Sequence, residues 1–131
     1  MNVRTSLYAT LFLLLIVAIL HISGIRLYFY WRIGWYDKVV HMLAGAAVVF
    51  FMYYIIRTID IFPRSYTLVL AMIAAILIGI GWEIFEIQSG YTSVHKLGYA
   101  FSTMADLLSD VIGGTAAVLY ILQKQLSWKV H

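Results

Sequence analysis

The sequence holds six acidic residues in 131, and five of them fall into short, regular spacings that could do chemistry. Asp37 stands four residues before His41, Glu83 three before Glu86, and Asp106 four before Asp110. On a helix, side chains three or four positions apart share one face, so each spacing delivers two polar groups to the same side of its element. Carboxylates together with an imidazole form an oxygen-rich donor set. That set suits one or two divalent ions of the Mg²⁺, Mn²⁺, Fe²⁺ or Zn²⁺ kind and argues against a soft-metal centre. With no cysteine in the chain, disulfides and thiolate ligands are excluded. Gathering five carboxylates also has an electrostatic consequence. At about 5 Å in a medium of effective dielectric ~20, two like charges repel by roughly 3 kcal/mol. Protons, bound cations or basic side chains must offset this, and Arg26, Arg32, Lys38 and Lys96 are the basic candidates near these acids.

The surroundings of these residues are apolar. Hydrophobic residues make up 63% of the chain and charged residues 11%, with a mean hydropathy of +0.91. That charged share is under half of what soluble domains carry, and a short soluble chain needs a large polar surface. A soluble enzyme and a disordered tail are thereby excluded. The net charge of +3 comes from scattered single residues with no basic stripe, so no nucleic-acid partner is expected. An integral membrane protein remains, organised as one membrane domain over residues 1–131 with the lipid bilayer as its partner.

Charge-free windows place the helices. They run from Ser6 to Ile25 (20 residues), Val39 to Ile56 (18) and Ser65 to Trp82 (18), each long enough to cross a bilayer with snorkelling ends. A further stretch of 27 residues, Leu97 to Gln123, contains Asp106 and Asp110. Its charge-free remainder after Asp110 is only 13 residues, too short to span, so either this segment does not cross or it crosses with both aspartates in its first half, and the crossing is the better reading. Ser102 or Thr103 reads as its N-cap, with Thr103-x-x-Asp106 as a capping box. The expected helices cover about 6–24, 37–57, 65–88 and 103–123. The first is not read as a signal peptide, because no A-x-A-like site follows its long apolar run. After it comes an aromatic segment, Tyr28 to Trp31 with Trp35 and Tyr36, suited to the headgroup zone. Short connections make sequential helices antiparallel. The expectation is an all-α membrane protein, an antiparallel bundle of four transmembrane helices with an aromatic interfacial segment after the first.

In that arrangement Asp37, Glu83, Glu86, Asp106 and Asp110 all fall on one side of the membrane. His41 lies one turn inside the second helix on that side, and His21 ends the first helix there. Small residues continue the polar stripes deeper, at Gly45, Gly79, Gly113 and Gly114. The termini share the other side, with Arg4, Arg57, Arg64, Lys124 and Lys129 against Arg26, Arg32, Lys38 and Lys96 opposite, a small bias towards cytoplasmic termini.

At these residues the chain resembles known membrane families. Tyr36-Asp37-Lys38-x-x-His41-x-x-x-Gly45, then Glu83-x-x-Glu86, then Thr103-x-x-Asp106-x-x-x-Asp110-x-x-Gly113 is similar to the pattern of YjdF-type bacterial inner-membrane proteins. More distantly it resembles the VanZ-like family, associated with teicoplanin resistance. The resemblance covers roughly residues 35–122. It implies a small polytopic protein of the bacterial cytoplasmic membrane and makes the five acids and His41 its functional set.

The expected metal ligands are Asp37, His41, Glu83, Glu86, Asp106 and Asp110, with His21 and Lys38 as accessories; no residue is assigned a catalytic role. Ionisable groups inside a spanning helix cost roughly 2.5–3.5 kcal/mol at its centre, which favours function for Asp106 and Asp110. The bland alternatives are an N-cap role for Asp37, solvated helix ends for Glu83 and Glu86, and dipole-favoured N-terminal charges for the aspartates. Trp31, Trp35 and Trp82 read as interfacial anchors, Ala71-x-x-x-Ala75-x-x-x-Gly79 as a packing stripe, and His95 and His131 as loop and tail residues. No H-E-x-x-H, G-x-S-x-G or P-loop motif occurs. Three readings stay open. One is a metal-dependent intramembrane hydrolase or transferase acting on a lipid or isoprenoid headgroup. The second is a non-enzymatic protein binding cations or protons, as a homo-oligomer or a subunit of a larger membrane complex. In the third the acids merely pair with Arg26, Arg32, Lys38 and Lys96.

Overall fold

A computed structural model describes residues 1–92, 94–95 and 97–127, except the side chain of Ser127. Lys96, Lys129 and His131 lie outside the described residues. The elements are α1 (Val3–Arg26), a one-turn α2 (Phe29–Arg32), α3 (Tyr36–Ile59), a 3-10 turn (Arg64–Tyr66), α4 (Thr67–Gln88) and α5 (Tyr99–Ser127). Four helical stretches, Val3–Arg26, Tyr36–Ile59, Arg64–Gln88 and Tyr99–Leu126, are long and apolar enough to cross a bilayer. The aromatic α2 sits between the first two of them, as the sequence predicts, with Trp31 and Trp35 exposed.

In lipid there is little hydrophobic drive between helices, so close backbone packing and interhelical hydrogen bonds must hold the bundle. The tightest packing joins α3 to α5. A Cβ built on Gly45 would collide with the backbone carbonyl of Asp110, and one on Gly113 with the carbonyl of Met42. Only glycine admits this approach. The pairs Lys38–Asp106, His41–Asp110 and Tyr53–Gln125 advance together along both helices, so α3 and α5 run parallel. Sequential spans do alternate in direction. α1 runs antiparallel to α3, pinned at one end where Tyr36 donates to the Leu20 carbonyl (2.7 Å) and at the other where Ser6 donates to the Phe50 carbonyl.

α4 presents a single stripe inward. Its buried residues are Thr67, Ala71, Ala75, Gly79 and Glu83, spaced every four positions. The Ala71–Gly79 stripe therefore packs within the bundle. The half of the bundle nearer the termini is filled by apolar groups, among them Val49, Phe50, Ala117 and Ile121. The other half carries the buried ionisable residues His41, Glu83, Asp106 and Asp110, whereas the buried hydroxyls Ser6, Thr10 and Thr67 lie nearer the termini. α1 packs against α3 and makes no comparable contact with α4 or α5 among the described residues. A gap between α1 and α4 results.

Two expected caps differ. α5 begins at Tyr99, so Ser102 and Thr103 lie inside it and no capping box forms. Gly98, at φ +80°, turns the chain just before, and the hydroxyls find side-chain partners instead. Asp37 stands in the first turn of α3, with Trp35 at the cap position.

The glycine contact yields a test. Gly45→Ala should cost roughly 1–3 kcal/mol of stability through overpacking. Gly81→Ala, where a Cβ meets nothing within 4 Å, should be neutral or slightly stabilising. Thermal unfolding of both variants in detergent checks this; equal midpoints would contradict the packing account.

Candidate functional site

The polar end is built outward from the α3–α5 contact. With the first turn of α3 fixed against α1 by Tyr36, Asp37 lies at the rim and His41 one turn deeper. Parallel α5 brings Asp110 and Asp106 to the same heights. His41 Nδ1 lies 3.2 Å from Asp110 Oδ2, and its Nε2 lies 3.8 Å from Asp37 Oδ1. With the proton on Nδ1, His41 donates to Asp110 and turns Nε2 towards Asp37 as a free lone pair. Gly79 makes room for this carboxylate: a Cβ there would sit 2.5 Å from Asp110 Oδ2. Three helices thus enclose one side chain.

Asp106 is 4% exposed and pairs with Lys38, Nζ to Oδ1, at 2.6 Å. Lys38 also reaches Asp37 Oδ2 and Ser102 Oγ, each at 3.4 Å. One ammonium therefore offsets two carboxylates. Asp37, His41 and Asp106 each place a ligand atom within 4.8 Å of the others, the geometry of a site that could hold a metal ion. Asp110 stands behind His41, where a carboxylate holds a metal-binding imidazole in orientation.

The glutamates occupy separate positions. Thr103 donates to Glu83 Oε2 at 2.9 Å, while Oε1 is buried with no hydrogen-bond partner among the described residues. Trp82 Nε1 donates to Glu86 Oε1 at 2.9 Å. Both glutamates line a cavity of about 420 Å³ at the mouth of the bundle with Asp37, Lys38 and Asp106, yet neither joins the three-residue group. His21 sits at the lip. Its Nδ1 lies within hydrogen-bond distance of the Tyr30 hydroxyl, at 2.8 Å, and its ring meets Trp82 edge-on at 5.8 Å. Burial, and then the charges of Asp37, Tyr36 and Glu86, push the Tyr30 phenol well above its ordinary range, so it stays protonated.

A second cavity of about 310 Å³ fills the gap between α1 and α4 and shares Asp37, Glu86, His21 and Trp82 with the first. Its deep wall is apolar, with Leu14, Val17, Val48 and Ile78, and its upper wall carries His41 and Asp110.

The six expected ligands all border these two cavities. Of the bases expected to compensate them, Lys38 does so, whereas Arg26 and Arg32 enter no ion pair with an acid among the described residues. His95 lies in the exposed α4–α5 loop. Sequence reasoning missed Tyr30, and it read Trp82 as an anchor and Ser102 and Thr103 as caps. Trp82 stands four residues before Glu86, a spacing that could have shown the bond; nothing in the spacing of Tyr30 marks it.

The fold and this site define a polytopic α-helical membrane protein with its buried ionisable groups gathered at one end. Residues 2–125 match the family described as "Predicted membrane protein (DUF2238)", and the chain belongs to that family. No curated protein and no solved structure matches it.

Breaking one partner of a buried ion pair is costly, whereas replacing both by apolar groups is often neutral. Lys38→Met should therefore lower the unfolding midpoint by leaving Asp106 uncompensated, and Lys38→Met/Asp106→Leu should recover most of the loss. Melting curves followed by circular dichroism decide; a double variant no better than the single would refute the pairing.

Proposed function

We propose that Asp37, His41 and Asp106 bind a divalent cation, and that an amphipathic lipid or isoprenoid enters between α1 and α4 with its headgroup at that ion. The observation that carries this is the convergence of three ligand atoms within 4.8 Å, those of Asp37 and His41 lining a cleft whose deeper wall is apolar and that of Asp106 the adjoining mouth. An acyl or prenyl chain suits Leu14, Val17 and Ile78, and a phosphate or similar headgroup suits a cation among carboxylates. Mn²⁺, Fe²⁺, Zn²⁺ and Mg²⁺ all accept such donors. A cation here would polarise a phosphoryl or acyl oxygen or activate water. Glu86 and Glu83 line the same mouth outside the ligand group, which supports a general-base role for one of them. This makes the protein a metal-dependent intramembrane hydrolase or transferase. The resemblance to YjdF-type and VanZ-like proteins supports placing it in the bacterial cytoplasmic membrane.

One observation favours a second, non-enzymatic reading. Lys38 already supplies a positive charge at 2.6 Å from Asp106, so the acids are compensated in part by the chain itself. In that reading the site is a charge network that fixes the bundle without a bound metal.

The two readings separate on metal content. Purified wild-type protein incubated with Mn²⁺ or Zn²⁺ should retain a stoichiometric ion. His41→Ala and Asp106→Asn should lose it, and Asp110→Asn should weaken binding by roughly 10–100-fold, the usual effect of removing the group behind a ligating histidine. Lys38→Gln should tighten binding, because it removes the competing cation. An unmetallated wild type, or full retention in His41→Ala, would sink the metal reading and leave the charge network.

A further inference from the structure

The opposite end of the bundle carries a second polar cavity, of about 680 Å³, that owes nothing to the acidic site. It lies where the 3-10 turn and the start of α4 meet the ends of α3 and α5. Arg57, Arg64, Ser65, Thr67 and Gln125 line it, and no acidic residue does among the described residues. Two buried polar groups are left open there. Thr67 is 2% exposed and its hydroxyl has no hydrogen-bond partner among the described residues. Arg57 Nη1 is likewise buried without a hydrogen bond, its nearest anion being the exposed Asp60 at a loose 3.7 Å. Buried donors without partners are costly, and native structures satisfy them with protein, water or a ligand. The cavity also borders the start of α4, into which the 3-10 turn leads, with the Thr67 N–H donating to the Arg64 carbonyl.

We propose that this cavity binds a phosphate-class anion, held by Arg57, Arg64 and the Thr67 hydroxyl at the start of α4. Two planar guanidinium groups with a hydroxyl match a tetrahedral oxyanion. The anion is either the headgroup of a phospholipid or free phosphate; both present the same oxygens. The proposal is independent of metal binding at the other end.

Two probes distinguish the sources. Delipidated full-length protein is given dioleoylphosphatidylglycerol or dioleoylphosphatidylcholine, and bound lipid is counted by native mass spectrometry. Inorganic phosphate is titrated calorimetrically in a zwitterionic detergent. Wild type should prefer the glycerol lipid by about tenfold, or bind phosphate measurably, since hydrogen bonds to a charged group are among the stronger ones. Preference for the lipid with no phosphate binding identifies a headgroup site; phosphate that displaces the lipid identifies a soluble anion. Arg57→Gln/Arg64→Gln should abolish either signal, and the near-isosteric Thr67→Val should weaken it severalfold. Arg4→Gln, a charge on the same side outside the cavity, should change nothing. The proposal is overturned if wild type binds neither probe selectively, if Thr67→Val and the arginine variant bind as wild type does, or if Arg4→Gln loses as much as the arginine pair.

Discussion

The approach of α3 to α5 through Gly45 and Gly113 is the constraint on which the rest depends. Each glycine lies against a backbone carbonyl of the opposite helix, Asp110 in one case and Met42 in the other. The contact brings two parallel helices together at the centre, while their antiparallel neighbours pack outside. It also fixes register. His41 lies one turn before Gly45, and Asp110 one turn before Gly113, so the packing that seats the glycines sets the imidazole beside the carboxylate. Packing and chemistry share the same few residues. A bundle held this way needs few interhelical hydrogen bonds in its apolar half and can gather polar groups at one end.

That concentration is costly, and the charges are arranged to reduce the cost. Lys38 serves Asp37 and Asp106 together, and His41 lies between Asp37 and Asp110. Glu83 and Glu86 are spread to the far wall, each with a donor of its own, from Thr103 and Trp82. A small divalent ion among Asp37, His41 and Asp106 would concentrate the compensation where the carboxylates are closest. The lateral cleft follows from the same helix arrangement. Because α1 packs chiefly on α3, its far side parts from α4, and the opening runs from the apolar wall of α1 and α4 to the acids.

Much of this was legible in the sequence because membrane-spanning helices are written in long apolar windows and polar residues inside them are expensive. The spans, their count and the side on which the five acids meet follow from window lengths and alternation. So do the pairs Asp37–His41 and Asp106–Asp110, whose spacing is that of the helix. Partnerships between helices were not legible. Nothing in Asp110 says that its carboxylate fits against Gly79, or that Lys38, rather than Arg26 or Arg32, reaches Asp106. The start of α5 was misplaced for a local reason. Thr103-x-x-Asp106 satisfies the capping pattern, but Gly98 turns the chain earlier and releases Thr103 for Glu83. The cationic cavity at the other end escaped notice because Arg57 and Arg64 read only as loop charges that orient the chain.

The central claim is that His41 is a metal ligand, and electron spin-echo spectroscopy of Mn²⁺-loaded protein tests it most directly. The technique detects nitrogen bonded to the ion. The account predicts imidazole nitrogen modulation in wild type that persists in His21→Ala and disappears in His41→Ala. Bound Mn²⁺ with no histidine nitrogen, or modulation unchanged in His41→Ala, would contradict it.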